Sequence, residues 1–203
     1  MSVKLKFINS AQGSVNPEVL IFQKNVATNL NEFAIAWKVI KNCGRGSYHP
    51  FTYSGNLELS ITDDDGNYSP RQIASSGDQF AVIRSLTGRK LARIPTFGEN
   101  NPSPRDVSIH NHLPVGAINA CVFHDGMLLA CKTSVAPGQK ALFRFTPTIW
   151  IGAVSNVTQG HFIGSAIISE INTELSLVGI ASATIEMTGG GTGDNAMPYE
   201  FNL

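Results

Sequence analysis

The chain has 203 residues, 42% of them hydrophobic and 15% charged, with 15 basic residues balancing 15 acidic ones. That length is enough for a substantial buried core, in one large β-domain or two smaller ones. A net charge of zero excludes the broad positive field that recruits nucleic acid, so no nucleic-acid partner is expected, and weak repulsion between copies leaves homo-oligomers open.

The opening residues, MSVKLKFINSAQGS, carry early lysines but no continuous apolar h-region. No stretch approaches the roughly 18 consecutive apolar residues of a membrane-crossing helix. A cytoplasmic protein at synthesis is the expectation, with non-classical export left open. Period-two alternation rich in β-branched residues predicts strands over 3–8, 18–23, 33–41, 56–62, 79–84, 90–94, 107–112, 118–124, 127–132, 141–145 and 149–155. Two or three more are expected between Phe162 and Met187. A helical turn or two over 165–175 would set Ile168, Ile171 and Leu175 on one face. The stretch ELSLVGIASATIEM reads as one central strand, apolar on both sides. Many short strands separated by Gly, Pro, Asn and Asp give the fold class: all-β, with an antiparallel β-sandwich architecture.

Residues 1–203 read as a single compact β-sandwich unit. The section IPTFGENNPSPRD is the candidate boundary, dividing the chain into 1–94 and 106–203 with a connector at 95–105. A faint repeat spans it. VKLKFINS followed by EVLIFQKN parallels DVSIHNHLPVGAINACVFHDG, which favours two related β-halves packed together.

Four places carry candidate chemistry. GRGSYHPFTYSG gathers Arg45, Tyr48, His49, Phe51 and Tyr53; flat rings can stack on a sugar, a lipid headgroup or a partner side chain, and Arg45 can take phosphate or carboxylate. Arg45, Tyr48, His49 and Tyr53 are the ligand-binding candidates, although Tyr48 can equally close the end of a sandwich. ITDDDGNYSP places Asp63, Asp64 and Asp65 before a glycine, as calcium loops do. It lacks their alternating spacing and later glutamate, so a hydrated β-turn is the stronger reading. His110 and His112 share one face of a strand and can begin a metal site, but His124 falls at the far end of the next strand. In FHDGM a two-residue Asp125–Gly126 turn sets Cys121 across from Ala130, and a three-residue turn ending at Gly126 sets Cys121 and Cys131 on one face as diagonal neighbours; only a further bulge aligns them for a disulfide. Reduced thiols are therefore expected. The glycine run in MTGGGTGDNAMPYEF reads as a flexible terminal loop, and no cofactor motif, nucleophile elbow or Walker lysine is present.

The stretches VLIFQKN, AWKVI, GRGSYHPFTY, LPVGAINACVFHDGMLLACKTSVAPGQKALFRFTPTIWIG and SAIISEINTELSLVGIASATIEMTGGG span most of the chain. They resemble an all-β family of bacterial proteins of similar length. Some of those proteins carry a transferred label of aromatic ring-opening dioxygenase, for which no metal-ligand set is visible in these residues; the label is not adopted. The leading expectation is a non-catalytic recognition or self-assembling β-sandwich protein that takes carbohydrate, lipid headgroup or protein through the aromatic loop. One alternative is a membrane-active toxin or pore-forming protein with an inserting hairpin over 160–187 and Trp37 or Tyr48 at the interface. The other is a metal-dependent enzyme built on His110 and His112.

Overall fold

A computed structural model describes residues 2–13, 16–28, 34–63, 65–86, 88–95 and 104–203. In its first half the strands are β1 (Ser2–Asn9), β2 (Glu18–Phe22), β3 (Lys38–Ile40), β4 (Tyr48–Ser54), β5 (Leu57–Thr62), β6 (Gln72–Ala74), β7 (Gln79–Ser85) and β8 (Gly88–Ile94). The second half carries β9 (Val107–Asn111), β10 (Ile118–His124), β11 (Met127–Val135), β12 (Lys140–Phe143), β13 (Thr148–Val154), β14 (Thr173–Ser176), β15 (Ser182–Gly190) and β16 (Met197–Asn202). One short helix, α1 (Ser165–Glu170), precedes β14. The protein is all-β and of the sandwich type, as its alternation predicts.

The strands form four four-stranded sheets, ordered β16-β15-β1-β4, β14-β13-β2-β3, β11-β10-β5-β6 and β12-β9-β7-β8. Contacts divide the chain into two compact units. The first comprises 1–24, 33–55 and 147–203, and the second 25–32 and 56–146. The first two sheets belong to the first unit and the last two to the second. The division therefore runs between β4 and β5 and between β12 and β13 instead of through the 95–105 connector, of which residues 96–103 lie outside the described ones.

The pairing scheme repeats. Adding eight to each strand number of the first half turns β15-β1-β4 into β7-β9-β12 and β13-β2-β3 into β5-β10-β11, counting cyclically. Even the two parallel pairs match, β1 with β15 and β9 with β7. The eight-strand plan thus occurs twice in the chain, and each unit takes four strands from either occurrence.

Two local details repeat with it. Asn9 ends β1 buried; its Oδ1 accepts the Ala11 N–H at 2.9 Å and its Nδ2 donates to the Cys43 carbonyl at 2.7 Å. Asn111 ends β9 in the same way, accepting Leu113 N–H at 3.0 Å and donating to the carbonyls of Val135 at 2.9 Å and Gly116 at 3.0 Å. Beside each asparagine a glycine turn opens the next edge strand. Gly46 (φ 79°) donates to Asn9 O, and Gly138 (φ 76°) donates to Asn111 O.

In the first unit, alternate residues of β1 and β4 (Val3, Leu5, Phe7, Phe51, Tyr53) are buried. Trp37, 1% exposed, meets the Phe51 and Tyr53 rings edge-on at 6.4 and 6.2 Å. Burying such rings dominates core energetics at roughly 1.5–3 kcal/mol each. The other face of β2 is dry as well. Leu20 and Phe22 pack with Ala36, Val157, Ile163 and Ile171 beside α1, which is why EVLIF lacks an alternating pattern.

Three expectations are corrected. ELSLVGIASATIEM is not one strand: β14 stops at Ser176, Gly179 turns the chain at φ 75°, and β15 starts at Ser182 in a different sheet. The proposed inserting hairpin over 160–187 is accordingly α1, β14 and the start of β15, and Trp37 is buried away from any interface. The C-terminal glycines are strand and close-approach positions, not a loose loop. A Cβ on Gly189 would lie 1.9 Å from Pro198 O, and one on Gly190 would lie 2.5 Å from Gln12 O.

Candidate functional site

The segment expected as an aromatic loop is mostly strand. Gly44 to Ser47 make the turn, leaving Arg45 exposed, and β4 then pairs with β1 as an edge strand. Strand alternation separates the four candidates. Tyr53 is buried at 6% exposure, its hydroxyl accepting from Gln23 Nε2 at 3.2 Å, so it is a core residue and not a ligand contact. His49 shares the parity of Phe51 and Tyr53 at the exposed end of β4; burial and nearby Lys38 push its pKa down. Tyr48 has the opposite parity and stands 66% exposed.

Tyr48 belongs to the outer face of the β16-β15-β1-β4 sheet. On β1 it pairs with Ile8, followed by Lys6 opposite Pro50 and Lys4 opposite Thr52. The next strand continues the rows with Glu186, Thr184 and Ser182. Lys6 Nζ lies 6.0 Å from the Tyr48 ring centroid, at the outer limit of a cation–π contact. Glu186 accepts a hydrogen bond from Ser10 Oγ at 2.5 Å. The result is an exposed aromatic ring and proline at one margin, two lysines in the middle, and beyond them the hydroxyls of Thr184 and Ser182 with the Glu186 carboxylate at the Tyr48 end.

The histidine pair keeps its expected geometry. His110 and His112 have ring centroids 5.8 Å apart, edge to face. His110 Nε2 lies 3.1 Å from Ser108 Oγ, and burial, then Lys140 and His112, lower its pKa. A cationic neighbour is poor company for a metal ion. His124 sits at the other end of β10, 1% exposed, with Nε2 3.5 Å from Asp125 Oδ2. Among the described residues no three His, Cys, Asp or Glu side chains converge as a metal site.

Asp63 is occupied within its own turn. Its Oδ1 accepts the N–H groups of Asn67 at 2.9 Å and Asp65 at 3.1 Å, and the Asn67 N–H is the main reason its carboxyl titrates below the usual range. This is a hydrogen-bonded β-turn of the kind the sequence favours; Asp64 lies outside the described residues, and Asp65 is exposed.

The cysteines depart most from expectation. The Asp125–Gly126 turn is two residues long, with φ 50° and 76°, and closes on the His124–Met127 pair. An irregularity follows at once. Phe123 pairs with Leu128 but Val122 pairs with Ala130, so Leu129 is an extra residue and Cys121 falls directly opposite Cys131. No pattern of polar and apolar letters marks that bulge, since Leu128 and Leu129 are equally apolar. On the same outer face Tyr68 meets the Phe123 ring at 5.9 Å, and the Arg71 guanidinium sits 3.8 Å from that ring.

Comparison of the chain with protein-family models, curated proteins and solved structures finds no match. Among the described residues no helix is long and apolar enough to cross a membrane.

Proposed function

We propose that this is a recognition protein whose ligand surface is the outer face of the β16-β15-β1-β4 sheet, and that its ligand is a saccharide. The observation that carries this reading is the Tyr48 ring, 66% exposed on an edge strand while the other two rings of its segment, Phe51 and Tyr53, are buried. An exposed ring offers a flat face to the C–H side of a sugar. Lys4, Lys6, Thr52, Ser182 and Thr184 lie on neighbouring strands at strand spacing, about 4.8 Å apart across the sheet. That spacing suits alternate hydroxyls of a sugar ring, and the two lysines favour a saccharide that carries its carboxylate or sulfate at the end of the rows away from Glu186.

Self-assembly through this face has less support. Pro50 removes one donor from the free edge of β4, and the lysines oppose stacking of two copies. The test is a glycan array followed by calorimetric titration of the saccharides bound by the full chain. Saturable binding of an acidic saccharide, weakened at least tenfold by Tyr48→Ala and by Lys6→Ala with melting temperature unchanged, is expected. Binding that survives both substitutions, or an array without a saturable ligand, would contradict the proposal.

A further inference from the structure

We propose that Cys121 and Cys131 form a reversible dithiol–disulfide site that joins the central strand β10 to the edge strand β11 and is oxidised by a low-molecular-weight disulfide. The two residues are direct partners in the antiparallel register. Residues so opposed have Cα atoms about 4.5–5.5 Å apart, within the roughly 4.4–6.8 Å that a disulfide spans. Both are free thiols. The pair exists only because of the bulge at Leu129; without it Cys121 would face Ala130 across the same turn.

The two thiols differ in role. Cys121 is buried, and Ser60 of β5 pairs with it on its other side. Cys131 is partly exposed, on the strand that ends this sheet among the described residues. Burial beside the second sulfur pushes the Cys121 thiol up, so the partly exposed Cys131 is the one that a small disulfide reaches first. Cys131 is therefore the entry nucleophile and Cys121 the resolving thiol.

The chemistry balances without a further reagent. The Cys131 thiolate attacks one sulfur of the small disulfide, forming a mixed disulfide and releasing the first thiolate. Cys121 then loses its proton and attacks Cys131 Sγ, closing the cross-strand bond and expelling the second thiolate. Two protein thiols are oxidised, one small disulfide is reduced to two thiols, and the two protons leave with them. Tyr68 and Arg71, over Phe123, border the same face, so closing the bond tightens the sheet beneath them.

Cys43 serves as an internal control, since it belongs to the other unit and burial holds its thiol above the ordinary pKa. The experiment incubates the full chain with oxidised glutathione, then denatures it, alkylates the remaining thiols and maps the peptides by mass. The expected result is a chain lighter by two hydrogens, with a Cys121–Cys131 link, alkylation confined to Cys43, full reversal by dithiothreitol and no such link in Cys131→Ser. Recovery of Cys121 and Cys131 both alkylated, or of glutathione adducts that never resolve into the link, would overturn the proposal. Mapping of the unsubstituted chain decides the matter even where the variant fails to fold.

Discussion

Aligning Phe22 with Phe123 places Leu20 of the first unit where Cys121 stands in the second, on strands with the same three-strand neighbourhood. Leu20 is covered by a hydrophobic cluster beside α1, whereas Cys121 faces a second cysteine and the border of Tyr68 and Arg71. The next edge strand diverges in the same manner. β4 opens with the exposed Tyr48 and its counterpart β12 with Lys140. By contrast, the buried strand-end asparagines and the glycine turns beside them are held in common. Inward faces and turn hydrogen bonds are shared by the two occurrences of the eight-strand plan, and outward faces are where their chemistry differs.

The largest expected difference between the copies lies at their terminal hairpins. Gly189→Ala drives a Cβ into Pro198 O at a left-handed φ of 83°, and we expect a loss of more than about 3 kcal/mol in denaturant titration. Gly88, in the matching hairpin, has φ 118° but nothing within 4 Å of its Cβ, so Gly88→Ala should cost only about 1 kcal/mol. Equal costs would break the comparison.

The asparagines sharpen it. Asn111→Ala strands two carbonyls and one N–H, and should cost about 3 kcal/mol. Asn9→Ala strands one of each and should cost about 2 kcal/mol. Chemical denaturation of both variants measures the ordering directly. A smaller contrast sits on the central sheets. Gly152→Ala puts a Cβ 2.6 Å from Ile171 Cγ1 and should cost about 1–3 kcal/mol by overpacking. Ser60→Ala, at the matching position, loses the Oγ bond to Ser69 O at 2.7 Å and should cost about 1 kcal/mol.

The mildest effect is one of pH. His110 occupies the place of Ile8, and burial lowers its folded pKa below the unfolded value of about 6.5. The unfolded chain therefore binds its proton first as the solution is acidified. The stability contributed by neutral His110 is fully present above pH about 6.5 and is lost as pH falls through the folded pKa. His110→Gln should flatten that acid limb in melting temperature measured against pH; an unchanged limb would remove His110 as its source.

Much of this arrangement was legible in the letters. The all-β class, most of the strands, the Asp-Gly hairpin and the faint likeness of EVLIFQKN to NACVFHDG follow from periodicity and turn chemistry, whereas β4 and β16 read as loops and β6 carries no strand expectation. Two kinds of feature were not. The parallel pairs β1–β15 and β7–β9 join segments through long-range packing that leaves no local signal, so the units' interleaving was hidden behind the conspicuous 94–106 boundary. The bulge at Leu129 and the exposure of Tyr48 against the burial of Tyr53 depend on a single residue of register. Alternation can say that Tyr48 and Tyr53 face apart, but not which of them meets the core.

The interleaving is the central claim, and cutting the chain tests it. A protease site introduced between Ile94 and Asp106 leaves every described strand intact but severs β1–β8 from β9–β16. Since each unit is built from both halves, the cleaved fragments are expected to co-elute in native size-exclusion chromatography and to separate only in denaturant. Fragments that part under native conditions, each with folded β-rich circular dichroism, would contradict the account.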